Sequence, residues 1–199
     1  MLEAALLSYV GVMSITPGPN NLMLATSGVN YGFRRTLPHM LGISLGCSAQ
    51  VFITASLLAW ALQWIQAARL PLAVAGCIYL LWLSWKIARS AAPQGGEGGK
   101  PMSFLAAALF QWVNPKAWVM AVGAITTYTP AQGYVTNVIV IAALFALVNL
   151  PSVGVWVMFG SALRNLLQNP RWLMLFNVLM ALLLVISLYP LLFVESAFS

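Results

Sequence analysis

One six-residue stretch of the chain bears on backbone chemistry at almost every position: Thr16-Pro17-Gly18-Pro19-Asn20-Asn21. Pro17 has no N–H and clashes with the preceding turn of a helix. Gly18 permits dihedrals that other residues avoid. Pro19 suits the first position of a new helical segment. A helix that stops and restarts here exposes the N–H groups around Asn20, Asn21 and Leu22, with the partial positive charge of a helix start. That is a site for a carboxylate. A second breaker, Asn114-Pro115-Lys116-Ala117, follows at an offset of 98, matching Thr16-Pro17 to Asn114-Pro115. Lys116 is the sole charge between residues 101 and 163. A cation at the centre of a bilayer costs at least ~2.5 kcal/mol, so a lysine kept in an apolar run points to function. It can meet a substrate carboxylate or carry a proton. It can also snorkel to an interface, or pair with backbone carbonyls at a broken helix.

The elements that hold these residues follow from composition. The 199 residues include nine Lys+Arg, three Glu and no Asp. Charged residues make up 6% and hydrophobic ones 61%. A soluble domain carries roughly 25% charged residues. The deficit excludes an ordinary soluble enzyme, and the hydrophobicity excludes a disordered chain. A polytopic membrane protein remains, whose first partner is the lipid bilayer. The basic residues are scattered and form no face for nucleic acid.

A membrane helix needs ~20 mostly apolar residues to cross ~30 Å of hydrocarbon. Residues 4–33 and 40–68 are uncharged stretches of that kind. Residues 70–85 make a shorter one, with Lys86 and Arg89 free to snorkel. Residues 101–163 hold two spans, divided at the polar, breaker-rich Tyr128-Thr129-Pro130-Ala131-Gln132-Gly133. Residues 172–194 make the last. The predicted fold is all-α with six transmembrane helices. Continuous apolar runs argue against a β-barrel, whose strands alternate. Glu3 stands where a cleavable signal peptide would carry basic residues, so the first span is expected to stay.

Orientation follows the basic residues. Arg34 and Arg35 fall after the first span, Lys86, Arg89 and Lys100 after the third, and Arg164 and Arg171 after the fifth. These loops share one face, opposed by Arg69 alone. The bias predicts those loops in the cytoplasm and both termini outside. A Gly-rich linker, residues 91–101, joins halves of about 1–90 and 102–199 within one transport domain. Each half opens with an interrupted helix. Three spans per half would insert the second half upside down, the pattern of an inverted repeat with its site near the midplane.

Other polar positions are candidates for lining a path. Gly42 and Gly46 form a G-x-x-x-G, for which close helix packing is the first expectation. Gln50 follows on the same span, and Asn149 precedes Pro151 in the fifth. Cys47 and Cys77 suggest neither metal nor disulfide. His39, the single histidine, is expected as a neutral residue at a span end. No cofactor motif, metal cluster or nucleophile–base pair is visible, so neither an enzyme nor an ATP-driven pump is expected. A homodimer suits six short spans.

Several motifs together resemble the LysE/RhtB superfamily of amino-acid exporters. They are Thr16 to Asn21, Gly32-Phe33-Arg34, Gly42-Ile43-Ser44-Leu45-Gly46, Tyr79-Leu80-Leu81-Trp82-Leu83-Ser84-Trp85-Lys86-Ile87-Ala88 and Phe110-Gln111-Trp112-Val113-Asn114-Pro115-Lys116-Ala117. The Asn-Asn, Ser-Leu-Gly and Trp-Lys-Ile-Ala wording is most similar to the branch exporting cysteine and O-acetylserine. The resemblance implies efflux of small amino acids or their derivatives across a bacterial inner membrane, driven by the proton-motive force. It also implies that Thr16, Pro17, Gly18, Pro19, Asn20, Asn21, Asn114, Pro115 and Lys116 matter. The three carboxylates, Glu3, Glu97 and Glu195, all fall away from the midplane. Coupled protons would then use Lys116, His39, the end carboxylates or the substrate itself. The competing expectation is a membrane scaffold that transports nothing, which leaves two matched helix breaks and a lone lysine without a reason.

Overall fold

The computed structural model describes residues 2–57, 100–130 and 132–186, with isolated positions between 74 and 89. Among the described residues every regular element is helical, and no strand is present. The α-helices are α1 (Leu2–Ile15), α2 (Pro19–Ser56), α3 (Phe104–Phe110), α4 (Pro115–Tyr128), α5 (Tyr134–Leu163) and α6 (Pro170–Ile186). A 3-10 turn, Leu166–Gln168, leads into α6. Most of the expected third span, most of the linker at 91–101, the end of the second span and the end of the last lie outside the described residues.

The interruption expected in the first span is present. α1 has 14 residues, about 21 Å of helix, too short to cross a bilayer alone. Residues 16–18 leave the helix, and Pro19 starts α2. The opening helix of the second half is broken in the same way. α3 ends at Phe110, residues 111–114 form a tight turn, and Pro115 starts α4. Aligned on the proline that restarts each helix, residue 115 against residue 19, the offset is 96 rather than the 98 read from Thr-Pro and Asn-Pro.

α2 is two arms meeting at Gly32, whose φ of 74° and ψ of 173° are non-helical. Ser27 Oγ and Thr36 Oγ1 lie 2.9 Å apart. Nine residues of straight helix would separate them by about 13.5 Å, so the chain doubles back at Gly32. A side chain is strained at this positive φ, and glycine is not. The loop expected around Arg34 and Arg35 is therefore absent. Both arginines stand in the first turn of the second arm, which begins well before residue 40, where the second span was expected.

Both arms pack on α5. A Cβ at Gly28 would collide with the carbonyl of Val157, and one at Gly160 with the carbonyl of Ala25. Small residues here let the two backbones touch. The second arm runs antiparallel to α5. Ser44 Oγ donates to Asn149 Oδ1 (3.0 Å), Ser48 Oγ to Ala142 O (2.7 Å), and Tyr134 OH to Ala55 O (2.6 Å). Outward positions of α5 such as Val135, Ile139, Leu147, Val155 and Met158 are exposed and apolar. A contiguous apolar surface of this kind suits lipid. By length, the arm of α2 after Gly32 and the whole of α5 are able to cross a membrane.

Candidate functional site

The two helix breaks face each other. Lys116, on the first turn of α4, reaches the first break. Its Nζ donates to Thr16 O (2.8 Å), Thr16 Oγ1 (2.8 Å) and Pro17 O (3.2 Å). Gly18 gives the lysine stem room, since a Cβ there would lie 2.7 Å from Lys116 Cδ. Gly18 itself is fully extended, with φ 178° and ψ 176°, so the glycine serves space rather than backbone freedom. Of the roles open to Lys116 in the sequence, the structure displays pairing with backbone carbonyls at the broken helix.

The carbonyls of residues 13 to 17 each have a side-chain donor. Asn21 Nδ2 donates to Ser14 O and Thr16 O, each at 2.8 Å. Trp156 Nε1, from α5, donates to Ile15 O at 3.0 Å. These are the orphan acceptors at the end of α1. The other side of the break is bare, because no side chain caps the start of α2. Three N–H groups were expected to be open there. Leu22 N already bonds Gly18 O at 3.0 Å, which leaves those of Asn20 and Asn21.

The second break is closed mostly by its own residues. Gln111, Trp112, Val113 and Asn114 N–H groups bond carbonyls three residues back, at 3.1–3.3 Å. Asn114 Oδ1 caps α4 by accepting from Lys116 N at 3.1 Å. Trp118 Nε1 donates to Trp112 O at 2.8 Å.

Gln111 joins the two breaks and was not singled out from the sequence. It is fully buried. Its amide makes a reciprocal pair with Asn20: Asn20 Nδ2 donates to Gln111 Oε1 (2.8 Å), and Gln111 Nε2 donates to Asn20 Oδ1 (3.2 Å). Cys47 Sγ also donates to Gln111 Oε1 (3.3 Å), and Gln50 Nε2 donates to Gln111 O (3.1 Å). A glutamine in an apolar run is costly unless bonded. That cost was the available signal.

A small polar cavity lies where these groups converge. Gly18, Asn20, Asn21, Asn114, Lys116 and Asn149 line it, with Met13, Ser14 and Met120. Asn149 is held by Ser44 on one side and donates to Ser14 Oγ on the other (3.2 Å). The cavity measures about 20 Å³, room for little more than one water. An amino acid enters only if the walls part. Thr16, Pro17, Pro19 and Pro115 are not among the lining residues: Thr16 and Pro17 hold Lys116 through their oxygens, and Pro19 and Pro115 start the two helices. Gly42 and Gly46 do not line this cavity. A Cβ at either would collide with the backbone of α3, at Phe104 O and Ala108 respectively. Gln50 holds the second break in place and lies outside the cavity lining too. His39 is buried, and its ring nitrogens have no hydrogen-bond partner among the described residues. Among the described residues no group of metal-ligating side chains occurs.

A helical membrane bundle whose interrupted helices enclose a polar midpoint is the architecture of a transporter. The family comparison agrees: residues 11–190 match the LysE type translocator model, and the chain belongs to that family. It is a multi-pass membrane transporter and not an enzyme. The cysteine/O-acetylserine efflux protein of Shigella flexneri serotype 5b (strain 8401) is 33% identical over 192 residues, covering 93% of this chain and 94% of that protein. The protein of the same name from Escherichia coli (strain K12) is 33% identical over 191 residues, covering 92% and 94%. No solved structure is significantly similar to the chain.

Proposed function

We propose that this chain is a secondary exporter of small zwitterionic amino acids or their derivatives across a bacterial inner membrane, coupled to the proton-motive force. The observation that carries the reading is the convergence of both helix breaks on one polar cavity inside an apolar bundle. The uncapped start of α2 offers the N–H groups of Asn20 and Asn21 to the substrate carboxylate. Asn20, Asn21 and Asn114 orient the substrate, and Lys116 supplies the one positive charge at the site. The efflux proteins of Shigella and Escherichia named above support cysteine and O-acetylserine as the first substrates to try. Matching proline-started helices in the two halves support a 3+3 inverted repeat that rocks to alternate access. The positions of the basic residues support cytoplasmic placement of the Gly32 bend with Arg34 and Arg35 and of residues 164–171, with both termini on the outer side. Pairing of two copies in the bilayer fits a chain of this size.

The test is transport by purified protein in liposomes carrying an imposed pH gradient. Labelled cysteine or O-acetylserine is expected to move with the gradient and to stall when it is collapsed. If no amino acid moves under any gradient, the exporter reading fails. A panel of unlabelled amino acids competing with one label then ranks the substrates.

A further inference from the structure

The carbonyl cluster at the end of α1 already holds an ammonium group. Lys116 Nζ has three N–H donors, and Thr16 O, Thr16 Oγ1 and Pro17 O are its three acceptors, at 2.8, 2.8 and 3.2 Å. Thr16 Oγ1 is oriented to accept because its own proton goes to Met13 O, at 3.1 Å. None of the acceptors is a carboxylate. The attraction comes from oxygens at the negative end of the α1 dipole. Such a cluster selects a compact cation with several N–H donors, and nothing in it is particular to lysine. The ammonium arrives on a flexible stem from α4, threaded past Gly18.

We propose that Thr16 O, Thr16 Oγ1 and Pro17 O are the binding site for the α-ammonium group of the transported molecule, and that Lys116 is a tethered stand-in that fills it when no substrate is bound. The inference rests on the amino-acid reading above. Substrate carboxylate and ammonium are then received on opposite sides of one break, the carboxylate by the N–H groups of Asn20 and Asn21 and the ammonium by the carbonyls of Thr16 and Pro17. The exchange replaces one ammonium by another, and a zwitterion adds no net charge to the site. It also cuts one of the two polar ties between the breaks, leaving the Asn20–Gln111 pair as the other. Loading the site and loosening the halves become the same event. The substrate class follows: a free primary amine is required, and N-acylated amino acids cannot make the exchange.

The experiment measures thermal unfolding of the purified full-length protein with ethylammonium chloride, against tetraethylammonium chloride and sodium chloride at equal ionic strength. Ethylammonium is expected to raise the midpoint of Lys116→Ala by several degrees over both controls, because it fills a vacated site. Wild type is expected to show no difference between the three salts. Lys116→Gln serves if the alanine variant does not fold. Its neutral amide can still donate to Thr16, and a cation displaces it. If folded variants respond alike to all three salts, or wild type responds to ethylammonium as strongly as they do, the proposal is overturned. Failure of transport together with an ethylammonium shift would remove the exporter reading and leave the ammonium site. The opposite pair of results would do the reverse.

Discussion

The first and second helix breaks start from similar sequences, each with a proline that opens the new helix, yet they are finished differently. At the second, backbone turns from Gln111 to Asn114 and the Asn114 cap satisfy most of the chain locally, with Gln50 Nε2 the one distant donor to its backbone, at Gln111 O. At the first, the carbonyls depend on Asn21, on Trp156 from α5 and on Lys116 from the opposite half, while the N–H side stays uncapped. A break satisfied mostly by its own backbone keeps its shape with little outside help. A break completed by distant side chains has polar groups that can change partner. On the proposed reading, the first break then carries most of the binding, and the second, beyond the contribution of Asn114 to the cavity wall, supports it.

Four substitutions press on that difference, and a fifth completes a mutant cycle. Lys116→Met is expected to have the largest effect, abolishing efflux. It removes three bonds to oxygens at the first break, with a stability loss of about 2 kcal/mol for charge-assisted bonds left unmade. Efflux in liposomes and thermal unfolding measure the two losses, and wild-type efflux would sink the assignment. Gly18→Val comes next. Its Cβ would displace the lysine stem. Efflux should fall about tenfold, which corresponds to raising the barrier by about 1.4 kcal/mol. Folding should suffer less, because the stem is flexible.

Gln111→Ala and Asn20→Ala both cut the tie between the breaks. Each is expected to cost about 1–3 kcal/mol, and Asn20→Ala also to abolish efflux. The double variant should cost less than the sum, with a coupling of about 1 kcal/mol in a mutant cycle. Strict additivity would mean the amide pair carries no energy. Asn114→Ala should be mildest: about 1 kcal/mol for a lost cap, with efflux reduced but measurable. If it silences transport as completely as Lys116→Met, the two breaks are equivalent and the contrast between them is wrong.

Much of this was legible in the residues. Pro17, Gly18 and Pro19 dictate a helix break by covalent chemistry alone, and the structure puts a break there. The polar run from Tyr128 to Gly133 ends one helix and starts another as read. Lys116 announced itself by cost. What was not legible depends on neighbours that sequence order does not reveal. Gln111 looked like one polar residue in a motif, and its pairing with Asn20, 91 positions away, exists only after folding. Gly42 and Gly46 carry the same letters whether they face a cavity or a helix, and α3 decided the matter. The hairpin at Gly32 escaped because two arginines beside it suggested a loop, whereas one residue at positive φ sufficed.

That single-residue corner has a mechanical meaning. A loop between two helices absorbs displacement, whereas Gly32 leaves no slack between the arms of α2, which are stitched again by Ser27 and Thr36. A tilt imposed where α2 begins, beside the site, would reach the arm that packs on α3 and α5 through one residue and one side-chain bond.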